Sequence, residues 1–106
     1  EVSIGKNCQI EAQVFIPNGV TIEDDCFIGP QVCFTNDPTM ALERKNWTST
    51  PTLIKKGVKI GTNATIRAGV TIGENSIIGC GSVVLKNVPP NETWVGNPAN
   101  KLTKSK

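Results

Sequence analysis

Chemistry in a short chain needs a nucleophile, a base or a metal ligand. This sequence is sparing with all three. It has four cysteines, Cys8, Cys26, Cys33 and Cys80, and no histidine among 106 residues. No two cysteines stand as CxxC, and without imidazole no zinc site is expected. They read as reduced thiols of a cytosolic protein. The missing histidine also removes the commonest general base. The densest polar cluster is FTNDPTMALERK, residues 34–45, where Asn36 and Asp37 follow an apolar Phe34. A net charge of +2 is too small to argue for nucleic acid, and the basic tail KLTKSK reads as a solvated terminus. No apolar run approaches the length of a membrane-spanning helix.

What holds that polar cluster must come from the rest of the chain, which is repetitive. One apolar column is Ile4, Ile10, Ile16, Ile22, Ile28 and Phe34, and a companion column two residues earlier is Val2, Cys8, Val14, Val20, Cys26 and Val32. The pattern stops at the polar cluster and resumes with Ile54, Ile60, Ile66, Ile72, Ile78 and Val84. Its companions there are Thr52, Val58, Ala64, Val70, Ser76 and Ser82, smaller and more polar. Residues two apart on a strand point the same way, so each hexad predicts a short strand with two inward residues. The remaining positions turn a corner, as Pro17-Asn18-Gly19 and Gly73-Glu74-Asn75 suggest. Such hexads stack as a solenoid of short parallel strands. Three per coil give a triangular prism of four coils, roughly 19 Å tall at about 4.8 Å per coil. A β-sandwich with fortuitous spacing does not explain twelve hexads in phase.

The run IGTNATIRAGVTIGENSIIGCGSVV, followed by VPPNETWVGNPANKL, resembles the left-handed β-helix hexapeptide-repeat acyltransferases. The resemblance implies an all-β, left-handed parallel β-helix, an exception to the usual right-handed crossover. It also implies a homotrimer with sites between subunits and acetyl-CoA as donor. The hexapeptide carbonic anhydrases, which need three histidine ligands, are excluded by composition. The expected organisation is a single domain over 1–106, with a loop at 35–51 and a C-terminal extension at 88–106.

Between each inward pair lies one outward residue. If the faces continue through the insertion, one carries Phe15, Cys33, Thr65 and Val83, a second Gln9, Phe27, Lys59 and Ile77, and a third Ser3, Thr21, Leu53 and Thr71. The first is the most apolar, which predicts a subunit interface there. Cys8 and Cys26 stack one coil apart, about 4.8 Å between Cα atoms, within disulfide range. They read instead as small buried hydrophobes. The loop is long for so tight a fold, which points to a task. ALERK suggests a helical turn, and Trp47 an anchor against a neighbour.

FTND-P with LERK, TLIKKGVKIGTNATI, GVTIGENSIIGCGSVV and VGNPA resembles a narrower group, the N-acetyltransferases of nucleotide-linked 3-amino sugars. Those acting on UDP-2-acetamido-3-amino-2,3-dideoxy-glucuronate are the most similar type. The resemblance runs from about residue 2 to residue 102. It implies that Asn36 lies near the acceptor amine and that no histidine base is required. An amine beside electron-withdrawing groups titrates near the α-amino value of about 8, so part of it is neutral at pH 7. Placement and oxyanion stabilisation then carry the reaction. Asn36 would orient the amine through its side-chain oxygen. Asp37 is a candidate proton acceptor or a solvated loop carboxylate. The resemblance also implies that backbone N–H groups near Ala68-Gly69 and Gly81-Ser82 hold the pantetheine amides. Lys86, Trp94 and Lys101 would lie along the adenine and phosphate end.

Two departures bear on the acceptor. Members often carry a basic residue after the loop proline, where this chain has Thr39 and Met40 after Pro38. Members also have further N-terminal coils, whereas this repeat begins at Val2 with no cap, as a fragment or a shortened relative would. The competing readings are a non-catalytic hexapeptide trimer and an acyltransferase for another small amine or hydroxyl.

Overall fold

A computed structural model describes residues 1–37, 39, 40, 42 and 50–103. The chain winds into stacked coils with three flat faces. The first face holds β1 (Ser3–Ile4), β3 (Val20–Ile22), β6 (Thr52–Ile54) and β9 (Thr71–Ile72), all parallel. The second holds β2 (Gln9–Ile10), β4 (Phe27–Ile28), β7 (Lys59–Ile60) and β10 (Ile77–Ile78). It is extended by β12 (Thr93–Gly96) and an antiparallel β13 (Ala99–Lys101). The third holds β5 (Cys33–Phe34), β8 (Thr65–Ile66) and β11 (Val83–Val84), with Phe15 bridged to Cys33. No helix appears among the described residues, and none is long and apolar enough to cross a membrane.

The faces expected from the hexads are the faces observed. Ser3 pairs with Thr21, Thr21 with Leu53, and Leu53 with Thr71. Gln9, Phe27, Lys59 and Ile77 are likewise in register, as are Phe15, Cys33, Thr65 and Val83. The inserted residues therefore leave at one corner and return to it without disturbing the stack. The helical turn expected at ALERK and the anchor expected at Trp47 lie outside the described residues, apart from Leu42.

Both inward columns form one core. Ile22, Ile28, Phe34, Ile54, Ile60, Ile66, Ile72, Ile78 and Val84 are buried. In the first coil, Val2 and Ile4 remain 38% and 47% exposed. The other end is closed: Val88 bridges Ile72 and Trp94 pairs with Ile78, so each adds one more inward side chain to its column. Cys8 and Cys26 are free thiols, Cys26 fully buried, with Sγ–H donated to Glu23 O and Lys55 O at 3.1 Å each. Burial pushes the Cys26 thiol up to about 11.

Corners need a backbone that reverses tightly, and most use one residue with left-handed φ. Asn7, Asp25, Asn63 and Asn75 take it, with φ of 59–63°, as do Gly19, Gly57, Gly69 and Gly81. Asn, Asp and Gly suit this region. Gln13 and Gln31 take it too, at 63° and 64°, which the sequence does not suggest. Their side chains bond to each other, Gln31 Nε2 to Gln13 Oε1 at 2.8 Å. Many hexads place glycine directly after the inward isoleucine, for a steric reason. A Cβ on Gly61 would stand 2.7 Å from Cys80 N, and one on Gly29 would stand 2.8 Å from Thr62 N. The next coil's main chain occupies that space.

Gly61→Ala should therefore force adjacent coils apart. We expect a loss of about 1–3 kcal/mol, read as a lower urea midpoint with unchanged slope.

Candidate functional site

The corner between the third and first faces carries the loop. Asn18, Asn36, Ala68 and Lys86 recur there, one per coil, with Thr50 closing the loop's return. Asn36 is half-buried and held twice. Its Nδ2 donates to Asn18 O at 3.1 Å, and its carbonyl accepts from Thr50 N at 3.1 Å. The first bond fixes the orientation of the amide and aims its nitrogen at the stack. Oδ1 then takes no hydrogen bond from any described residue. Asp37 Oδ1 accepts from Thr39 N at 2.9 Å and Thr39 Oγ1 at 2.6 Å, a turn that starts the loop. A cavity of about 250 Å³ opens beside this corner, lined by Thr35, Asp37, Met40, Thr65, Arg67 and Leu85.

The two repeat blocks on either side of the loop fit one family description. The model of the bacterial transferase hexapeptide (six repeats) matches residues 1–36 and 51–86, on both sides of the loop. The chain belongs to the bacterial transferase hexapeptide family. Its architecture is the left-handed parallel β-helix of that family. A hexapeptide-repeat acetyltransferase of Vibrio cholerae, complexed with acetyl coenzyme A, superposes with a TM-score of 0.83 at 34% identity, over 99% of this chain and 61% of that one. A galactoside acetyltransferase in complex with coenzyme A gives 0.85 and 37%, over 97% of this chain and 55% of that one. A maltose O-acetyltransferase from Clostridium difficile gives 0.86 and 32%, over 99% and 59%. This chain thus spans about three-fifths of each of these proteins. No curated protein matches it by sequence.

In this hexapeptide chain the expected site residues fall into three places. Asn36, Asp37, Ala68, Gly69 and Lys86 share the loop corner. Gly81 and Ser82 lie at the corner between the second and third faces, beside an apolar groove of about 320 Å³ that includes Phe27, Ile77, Gly79 and Cys80. The third face separates the two corners, so one subunit cannot bring both sets around one small molecule. Trp94 and Lys101 are cross-strand partners at the closed end. Lys86 reaches that end as well, its Nζ 5.8 Å from the centre of the Trp94 ring.

The structure corrects four details of the sequence reading. The backbone N–H groups expected to hold pantetheine amides are already engaged: Ala68 N with Thr35 Oγ1, Gly69 N with Thr52 Oγ1, Gly81 N with Thr62 O, and Ser82 N with Gly79 O. What these corners present is a close, side-chain-free approach rather than free donors. The polarity of Ser76 and Ser82 also has an internal use. Ser76 Oγ donates to Pro89 O at 2.6 Å and accepts from Glu92 N at 3.1 Å, and Ser82 Oγ accepts from Gly96 N at 3.2 Å. Both serines tie the C-terminal extension onto the prism. Trp94, only 7% exposed, is a core plug, and its Nε1 donates to Glu92 Oε1 at 2.9 Å. Its ring cannot stack on adenine without leaving the core. Finally, the basic tail begins inside the fold, because Lys101 ends β13, pairs with Glu92 at 3.4 Å, and is followed by Leu102 N bonded to Thr93 O.

Sequence reading passed over Thr35, Arg67 and Leu85 in the loop-corner cavity. A signal existed: they occupy the position after the inward residue, where five other hexads carry glycine. Among the described residues no group of three potential metal ligands occurs.

Ser76→Ala would leave Pro89 O and Glu92 N without their shared partner. We expect a stability loss of about 1–3 kcal/mol and faster hydrogen exchange at the Glu92 amide, with the amides of β7 unchanged.

Proposed function

We propose that this chain is an acetyl-CoA-dependent N-acetyltransferase for a nucleotide-linked 3-amino sugar, working as a homotrimer with sites between subunits. The observation that carries it is the tethered amide of Asn36. One Nδ2 hydrogen is donated to Asn18 O, so Oδ1 is our acceptor for an amine at the loop corner, next to the cavity that its chain neighbours Thr35 and Asp37 line. An amine needs no imidazole once neutral, which suits a chain without histidine. The fit of acetyl-CoA rests on the same corner: Ala68-Gly69 offers a thin backbone, and Lys86 one coil further on offers charge for phosphates. The similar proteins solved with coenzyme A or acetyl coenzyme A support this assignment.

Bound acetyl-CoA would supply the thioester carbonyl. Asn36 Oδ1 orients the amine N–H so that its lone pair faces that carbon. A C–N bond forms as the C–S bond breaks, the departing thiolate takes a proton, and the amine proton leaves to Asp37 or to water. Gly81 and Ser82, across the third face, would belong to the site of the adjacent subunit pair. The third face is where a neighbour would pack, since Phe15 is 57% exposed on it.

A second reading, transfer to a hydroxyl on a small acceptor, is favoured by the maltose and galactoside acetyltransferases among the similar structures. A hydroxyl would need a base that Asp37 alone must supply.

Calorimetry tests the donor first: no heat with acetyl-CoA would sink both enzyme readings and leave a scaffold. With nucleotide 3-amino sugars, Asn36→Ala should lower kcat roughly a hundredfold, with acetyl-CoA affinity within a factor of two. Phe15→Glu should shift the trimer to smaller species in light scattering; an unchanged mass would move the interface to another face.

A further inference from the structure

We propose that Gln31 of one subunit donates its side-chain N–H to the oxyanion that develops in the site headed by Asn36 of the next. This rests on the proposed amine acetylation in a trimer and names a catalytic residue for it. Attack of the amine on the thioester pushes the carbonyl π pair onto oxygen, and that charge must be met before the C–S bond breaks. The four backbone N–H groups at the small-residue corners are already bonded, so they cannot meet it. Side-chain amides stand along the edge between the second and third faces. Gln13, Gln31 and Asn63 occupy it, one per coil, with bare Gly81 above them.

The turn does not ask for glutamine at position 31. Its φ is 64°, in the left-handed region that suits Asn and Gly, and Asn63 and Gly81 fill the same corner in the coils above. A longer amide there is a backbone outlier kept at an exposed position, and such outliers gather at functional sites. The side chain is also oriented. Gln31 N bonds Ala12 O at 3.0 Å, and Gln31 Nε2 donates one hydrogen to Gln13 Oε1 at 2.8 Å. The second Nε2 hydrogen meets no described residue. Height then selects what it faces. Gln31 and Asn36 flank the same strand, β5, so they lie in one coil at opposite edges of the third face. Three such faces closed round a three-fold axis meet along their edges at equal height. Gln31 of each subunit therefore faces Asn36 of the next. Higher on this edge the surface is bare: a Cβ at Gly81 would meet nothing within 4 Å. That leaves room for pantetheine to pass, with its thioester directed down towards the Gln31 amide. An uncharged donor already held in place needs no reorganisation as the charge develops.

Calorimetry and turnover test this together on the full chain. S-Carboxymethyl coenzyme A carries a negative oxygen where the thioester oxygen would lie. Gln31→Met keeps the length and loses the donor, so it should bind this compound roughly tenfold more weakly than the wild type does, with coenzyme A affinity unchanged. With nucleotide 3-amino sugars, Gln31→Met should lower kcat roughly a hundredfold. Gln31→Asn suits the left-handed φ but withdraws the N–H by one methylene. It should lower kcat as well, while its urea midpoint stays at the wild-type value. Trimers reassembled from equal amounts of Asn36→Ala and Gln31→Met subunits should regain roughly a quarter of the activity, because some sites then draw both residues from unaltered positions. A lowered urea midpoint with unchanged turnover would overturn the proposal, by making the amide ladder a device of the stack alone. No rescue in the mixed trimers would overturn it too. Acetylation that is equal in wild type and Gln31→Met removes this residue and keeps the activity. No acetylation, with the binding preference for the carboxymethyl compound still dependent on Gln31, keeps the donor and removes the activity. No acetylation and no such preference removes both.

Discussion

A main-chain hydrogen bond from corner to corner, one coil apart along two edges of the prism, holds this molecule in register. Asp25 N reaches Lys6 O, Gly57 N reaches Asp24 O, and Asn75 N reaches Lys56 O along one edge; Gln31 N, Asn63 N and Gly81 N do the same along another. Strands of two or three residues could not hold a sheet alone. They persist because the corners between them are bonded too, which leaves few main-chain groups unpaired in the stack. The geometry favours one left-handed residue at most corners, and the sequence supplies Asn, Asp or Gly at most of those. It also demands that adjacent coils nearly touch, which is why glycine follows so many inward isoleucines.

That constraint also explains how a long loop can be inserted without harm. The stack is specified coil by coil, so a chain that leaves a corner and returns to it finds the same partners. Thr52 N still bonds Gly19 O, and Thr35 N still bonds Ile66 O, on either side of the excursion. The loop is then free to differ in sequence from everything around it. Its first residues, Asn36 and Asp37, inherit their positions from the prism rather than from the loop. The rigidity of this corner is thus borrowed from the prism.

The closed end shows a different solution to an exposed core. The prism cannot simply stop, because the inward columns would end on open apolar side chains. Here Val88 and Trp94 extend two columns, and buried serines fasten the segment that carries them. Glu92 joins this arrangement by accepting from the Trp94 indole and pairing with Lys101. Residues that looked like ligand contacts in the sequence turn out to be the fastenings of a lid over the core.

The hexad spacing by itself determined the inward columns and the faces within each block, while the stacking decided the phase across the loop. A period-two side-chain alternation closed by a tight corner admits few other arrangements. Asn36 was legible for a similar reason, as the first polar residue after an inward phenylalanine at a corner. Arg67 carried only a weak signal, its place after an inward isoleucine where other hexads have glycine, and the sequence did not show that it shares a cavity with Asp37 and Met40. Hexad counting also separates Ala68-Gly69 from Gly81-Ser82: two hexads apart in a coil of three, they fall on different edges of the prism. Spacing along a chain records which way a side chain points; which distant side chains it meets is decided when the coils stack.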